Sequence, residues 1–155
     1  MAVVGTPRGY DQKWAFTVEI DGLDVAWFET VTGLEFEIAV VEQHEGGNIV
    51  VASQEAGMVK FTPAVLTCGV SDNREMYDWA LLCANAALNG GLVSPDYKKN
   101  VAIVQKERDG STEKRRLTLP DAFVMKYKAG EWDAKASEVV IEEITLAYRY
   151  FDREG

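Results

Sequence analysis

The feature that most constrains this chain is a two-residue rhythm of apolar side chains that recurs along most of its length, punctuated by glycine turns. Trp14, Phe16, Val18 and Ile20 alternate with Ala15, Thr17 and Glu19, as a strand with one face in a core requires. Asp21-Gly22 follows, and Leu23, Val25 and Trp27 resume the alternation. An Asp-Gly between two such runs predicts a tight hairpin, because the turn needs a residue that accepts positive φ. Leu34, Phe36, Ile38 and Val40 then share a face opposite Glu35, Glu37, Ala39 and Val41, a long third strand.

The next stretch, EGGNIVVASQEAG at 45–57, reads as a loop, yet it carries Ile49, Val50 and Val51 in a row. Three β-branched apolar residues in a loop are either packed on their own domain or meant for a partner. In 58–70 the apolar phase slips at Pro63: Val59 and Phe61 lie in one register, Ala64, Leu66, Cys68 and Val70 in the other. Proline donates no ladder hydrogen bond, so a bulge or a change of sheet is expected there.

One helix interrupts the strands, about residues 72–89. Ser71 or Asp72 serves as N-cap, Met76, Trp79, Ala80, Cys83, Ala86 and Ala87 recur at helical spacing, and Asn89-Gly90-Gly91 ends it,. Beyond it, the apolar run Val101 to Val104 leads to a turn at Arg108-Asp109-Gly110-Ser111, and Arg115 to Leu119 pairs back as a hairpin,. Pro120-Asp121 breaks the line before Phe123, Met125 and Tyr127. A polar turn, KAGEWDAKAS, leads to a last strand whose face holds Val140, Ile144, Leu146, Tyr148 and Tyr150, interrupted only by Glu142. The expected fold is mainly β: an antiparallel barrel or sandwich of about seven or eight strands with one flanking helix. At 155 residues, one domain spanning 1–155 is expected.

Charge narrows the function. The net charge of −9 opposes general nucleic-acid binding, which needs clustered Lys and Arg. The charge is uneven: residues 1–60 carry a net −7, and 98–116, which include Lys114, Arg115 and Arg116, a net +4. That asymmetry is either an ordinary solvated surface or two complementary faces of a subunit that stacks on copies of itself. No run approaches the roughly 18 apolar residues of a membrane helix. The N-terminal run MAVVGTPRGYDQKW lacks the pattern of a signal peptide, so synthesis in the cytoplasm is expected,. Cys68 and Cys83 lack CxxC spacing and read as buried free thiols,.

Chemistry finds little footing. Glu42, His44 and Glu45 form the best candidate cluster, but the chain has a single histidine, and zinc sites recruit more His or Cys. No Gly-x-Ser-x-Gly or Cys/His context offers a nucleophile for His44 to activate. Glu142 and Glu143 point to opposite faces of a strand, so they cannot act as a glycosidase pair. Neither a dinucleotide fingerprint nor a phosphate loop is present. Trp14, Trp27 and Trp79 read as core. No catalytic residue, metal or cofactor is expected.

VTGLEFEIAVVE, the EGG that follows, GVSD with a downstream Trp79, and DA-x-x-SEVVIEEITLAY occur in this order. Across roughly 14–151 the chain resembles the tube proteins of contractile phage tails and contractile injection systems, the family that includes the inner-tube subunit of bacteriophage T4. It has Thr67-Cys68 where family members often carry basic residues. The resemblance implies a non-enzymatic subunit, assembled in rings of six that stack into a hollow tube within a phage tail or an injection particle. Partners would be further copies, a sheath, a baseplate and terminal cap proteins, with DNA or a protein toxin as cargo. The long loop at about 45–57 would reach neighbouring copies, making Glu45, Gly46, Gly47, Asn48, Ile49, Val50 and Val51 interface residues, with Lys114, Arg115 and Arg116 a second contact. A type VI secretion tube protein is a close alternative. A monomeric ligand-binding barrel and a His44 hydrolase are the readings from other classes.

Overall fold

The computed structural model describes residues 10–23, 28–43, 53–70, 74–88 and 97–154. Nine strands and one helix lie within them: β1 (Phe16–Ile20), β2 (Thr30–Thr32), β3 (Phe36–Gln43), β4 (Ser53–Phe61), β5 (Ala64–Gly69), α1 (Glu75–Leu88), β6 (Lys99–Lys106), β7 (Glu113–Lys128), β8 (Ile141–Ala147) and β9 (Asp152–Glu154). Seven strands share one sheet, in the order β1-β6-β7-β8-β5-β2 with β9 added on β7, and β3 and β4 form a separate pair. Every pairing is antiparallel. The fold is mainly β and sandwich-like, with no closed barrel among the described residues.

β7 makes the sandwich. Its first part pairs with β6 and its second part with β8. Between them Asp121 adopts φ 52 after Pro120, so the strand bends and changes partners where the sequence suggested a break. Proline fits because its missing N–H withdraws nothing from the ladder at a bend; its carbonyl accepts from Arg149 N at 3.3 Å. The core lies inside this fold. Ala64, Leu66 and Cys68 of β5 face Glu142, Ile144 and Leu146 of β8, both rows buried, as period two demands. Val101 to Val104 of β6 are all buried, which is why that strand shows no alternation. α1 packs Met76, Trp79, Cys83 and Ala86 inward, and Trp79 Nε1 donates to Tyr97 O at 2.8 Å, which satisfies its polar end in a buried site.

Some expectations change. The phase slip at Pro63 is a change of sheet: β4 belongs to the two-stranded pair and β5 to the main sheet. Gly22 turns with φ 77, but the ladder partner of β1 is β6, with Phe16 opposite Gln105 and Ile20 opposite Val101. The second limb of the expected hairpin, at 24–27 with Val25 and Trp27, lies outside the described residues. Trp14 is 63% exposed, while Ala15 beside it is buried. The chain is still turning there, and Gln105 Nε2 clamps the turn by donating to Gln12 O and Ala15 O, each at 2.9 Å. The helix caps, Ser71 or Asp72 and Asn89 to Gly91, also lie outside the described residues. Cys68 and Cys83 are buried free thiols. Burial, then Glu142 and Glu29, push the Cys68 thiol up to about 11.

Candidate subunit interface

β4 begins at Ser53, so residues 53–57 are strand where a loop was expected. Of that loop, 45–52 lie outside the described residues, and with them Glu45, Gly46, Gly47, Asn48, Ile49, Val50 and Val51; so does His44. What the structure places next to them is the β3–β4 pair. Phe36 stands opposite Phe61, Glu37 opposite Lys60 and Ile38 opposite Val59. Alternation puts Phe36, Ile38 and Val40 on one face with Phe61 and Val59, and Glu37 with Lys60 on the other. The register slips between Ile38 and Val40, where β4 carries an extra residue beside Gly57. A Cβ on Gly57 would sit 2.9 Å from Ala39 O and 3.1 Å from Val41 Cγ2, so only glycine fits this bulge without displacement.

An aromatic cluster roots the pair on the sandwich. Phe61 lies 5.6 Å from Phe36, 5.4 Å from Phe151 and 6.1 Å from Tyr148, centroid to centroid. Tyr148 Oη donates to Thr62 O at 2.5 Å, tying β8's extension to the β4–β5 crossover. Gly33 closes the opposite side: at φ 85, a Cβ there would meet Pro63 O at 2.4 Å. Beyond this root every residue of β3 is exposed. Ile38 is 43%, Val40 61% and Val59 51% exposed. A strand pair with one apolar face turned to water is incomplete as a monomer feature.

The basic run makes ion pairs within the chain. Lys114 Nζ lies 2.8 Å and Arg115 Nε 3.4 Å from the Asp11 carboxylate. Arg116 pairs with Glu19 at 2.7 Å and Glu113 at 3.0 Å. The hydrogen bond from Lys114 holds the Asp11 carboxyl below its ordinary value, and those to Glu113 and Glu19 raise Arg116. All three basic side chains are engaged inside the chain, pinning the β6–β7 hairpin to the segment before and within β1.

Metal-binding groups do not assemble among the described residues. No group of three His, Cys, Asp or Glu side chains there could hold a metal. Glu142 is buried and its neighbour Glu143 is not, as opposite strand faces dictate. The Tyr127 hydroxyl is pushed up by burial and by its hydrogen bond to Glu142. That pair is packed in the sandwich, with Cys68 directly across the ladder from Glu142.

Comparison with known proteins follows the same line. A family model for the T4-like virus tail tube protein gp19 matches residues 12–152. No curated protein matches the chain by sequence. Among solved structures, the chain superposes on the tube-terminating cap of the anti-feeding prophage with TM-score 0.80 at 19% identity, covering 99% of both chains. A chain of the PVC extracellular contractile injection system, from its sheath–tube complex in the extended state, gives TM-score 0.76 at 20% identity, covering 94% of this chain and 91% of that one. Hcp1 from Flavobacterium johnsoniae gives TM-score 0.53 at 12% identity, covering 90% and 94%.

Proposed function

The chain belongs to the T4-like virus tail tube protein family, and from that premise we propose that it is a structural subunit of the hollow inner tube of a contractile tail or injection particle. Copies join in rings of six, the rings stack, and cargo passes along the bore when a surrounding sheath contracts. The observation that carries this reading is the β3–β4 pair, whose Ile38, Val40 and Val59 stand half-exposed on one face. A second copy covers that face in the assembly, and residues 45–51 are further interface residues in this reading. Association of this kind buries apolar side chains with no loss of buried hydrogen bonds.

The role is mechanical and not catalytic. Ladder hydrogen bonds and subunit contacts resist axial load together, and sheath, baseplate and cap proteins bound the tube. The known structures that superpose on this chain include sheath–tube, cap and baseplate assemblies, which supports those partners. Lys114, Arg115 and Arg116, which also make ion pairs to Asp11 and Glu19 within the chain, form a second contact with a neighbouring copy. Negative-stain imaging with analytical sedimentation of the purified chain tests the reading. Rings or tubes about one subunit thick are expected, and a chain that stays monomeric at every concentration refutes it.

A further inference from the structure

Two surface features away from the β3–β4 pair have opposite characters. The first is the segment 129–140 between β7 and β8. Its neck is tight: Gly130 has φ 141, and a Cβ there would meet Val140 Cγ1 at 2.5 Å. Lys128 Nζ pairs with Glu131 at 2.6 Å. Asp133 holds the turn, its carboxylate accepting from Lys135 N at 3.0 Å and its carbonyl from Ala136 N at 3.1 Å. This tied loop presents Trp132 at 73% and Val139 at 72% exposure. Both line one pocket together with Glu131, Asp133, Glu138 and Lys128. Holding a tryptophan in water is unfavourable unless assembly covers it, and tryptophan is among the commonest interface anchors.

The second feature is a groove of about 500 Å³ between α1 and β7. Ala80, Ala84 and Ala87 form its helical wall, and Phe123, Met125 and Tyr97 face them. The alanines leave the room; larger side chains on the helix would fill it. Among the described residues its lining includes Lys126 and no carboxylate, and Lys98 lies over the Tyr97 ring at 5.8 Å.

We propose that in the assembly the 129–140 loop of one copy enters the α1–β7 groove of the next, with Trp132 in the apolar cleft and Glu138 and its neighbouring carboxylates toward Lys126 and Lys98. Copies of a chain with net charge −9 repel one another, so a local match of opposite charge favours this contact. The loop and the groove are different surfaces, so the contact is head-to-tail, the type that closes a ring or extends a filament. The inference rests on the tube reading and names a contact distinct from the β3–β4 face.

Trp132→Cys combined with Ala84→Cys, assembled and mildly oxidised, is expected to give a ladder of covalent multimers on a denaturing gel. Cys83 lines the groove, so the pair is built with Cys68 and Cys83 replaced by Ser, and in that background neither single variant gives a ladder. Lys126→Glu and Glu138→Lys should each raise the concentration needed for assembly by at least about tenfold, and the combination should restore it, as paired reversals of a charge contact do. If the wild-type chain assembles but the cysteine pair gives no ladder or the reversals change nothing, the proposal is overturned. A wild-type chain that never assembles overturns the tube reading itself, and this contact with it.

Discussion

Val40→Thr with Val59→Thr probes the β3–β4 face without disturbing the strand pair. Threonine keeps the β-branched shape and the strand preference of valine. In the monomer these side chains are 61% and 51% exposed, so each new hydroxyl reaches water and the fold should lose less than about 1 kcal/mol. For a chain of this size that is a fall in Tm of less than about 4 °C. In the assembly the same hydroxyls are covered by an apolar neighbour, and each unpaired one costs about 1–3 kcal/mol by mutational measures. Two of them weaken each contact by about 2–6 kcal/mol. With tenfold per 1.4 kcal/mol, the critical concentration for assembly rises at least about 30-fold. Sedimentation of assembled material across a concentration series measures it, with a thermal melt of the monomer as control. Assembly at the wild-type concentration, with an unchanged melt, would show that this face stays in water and that the reasoning from its exposure is wrong.

Replacing Ile49, Val50 and Val51 with Ser should abolish tube growth while leaving the circular dichroism of the monomer unchanged; growth by the triple variant sinks their assignment to a subunit contact. Gly33→Ala places a Cβ 2.4 Å from Pro63 O at positive φ, and denaturant unfolding should show a loss of at least about 2 kcal/mol. A stability within 0.5 kcal/mol of wild type, as a rough threshold for surface changes, would contradict the close approach. The Asp109 carboxyl is held down at about 2, chiefly by the Thr112 hydroxyl and then by the Thr112 and Ser111 N–H groups. Its folded value lies below the unfolded one, so the turn's contribution is complete above about pH 4 and is lost as pH falls toward 2. Amide exchange at Ser111 and Thr112 should therefore accelerate across that window; a midpoint near the ordinary 3.8 refutes the hydrogen-bonded turn.

What could be read in the sequence was what repeats locally. Ala64, Leu66 and Cys68, and Ile144 and Leu146, alternate because one face of each strand is in the core, and the odd Glu142 in that row is indeed buried. The slip at Pro63 pointed to a bulge or a change of sheet, and the chain changes sheet there. Partner choice was not legible. Asp21-Gly22 encodes a turn with positive φ, but nothing local states that β1 will pair with residues near 105. The ion pairs of Lys114 and Arg116 with Asp11 and Glu19 were not legible either, because the partners lie about a hundred residues upstream. Trp14 followed the period of β1 but sits in the turn before it, where strand geometry has not yet begun. The exposure of Ile38, Val40 and Val59 was hidden for a related reason: alternation marks a face as apolar without saying whose surface covers it.

The pairing of β1 with β6 also has a consequence for how the protein is made. Phe16 finds its ladder partner at Gln105, so β1 leaves the ribosome long before the strand that will hold it. At about 5–20 residues per second, roughly 5–20 s pass with an apolar strand edge waiting. During that interval many nascent chains on one message expose the same edge. Slower synthesis before residue 105 should therefore raise insoluble yield, and a holdase acting on the first third of the nascent chain should lower it.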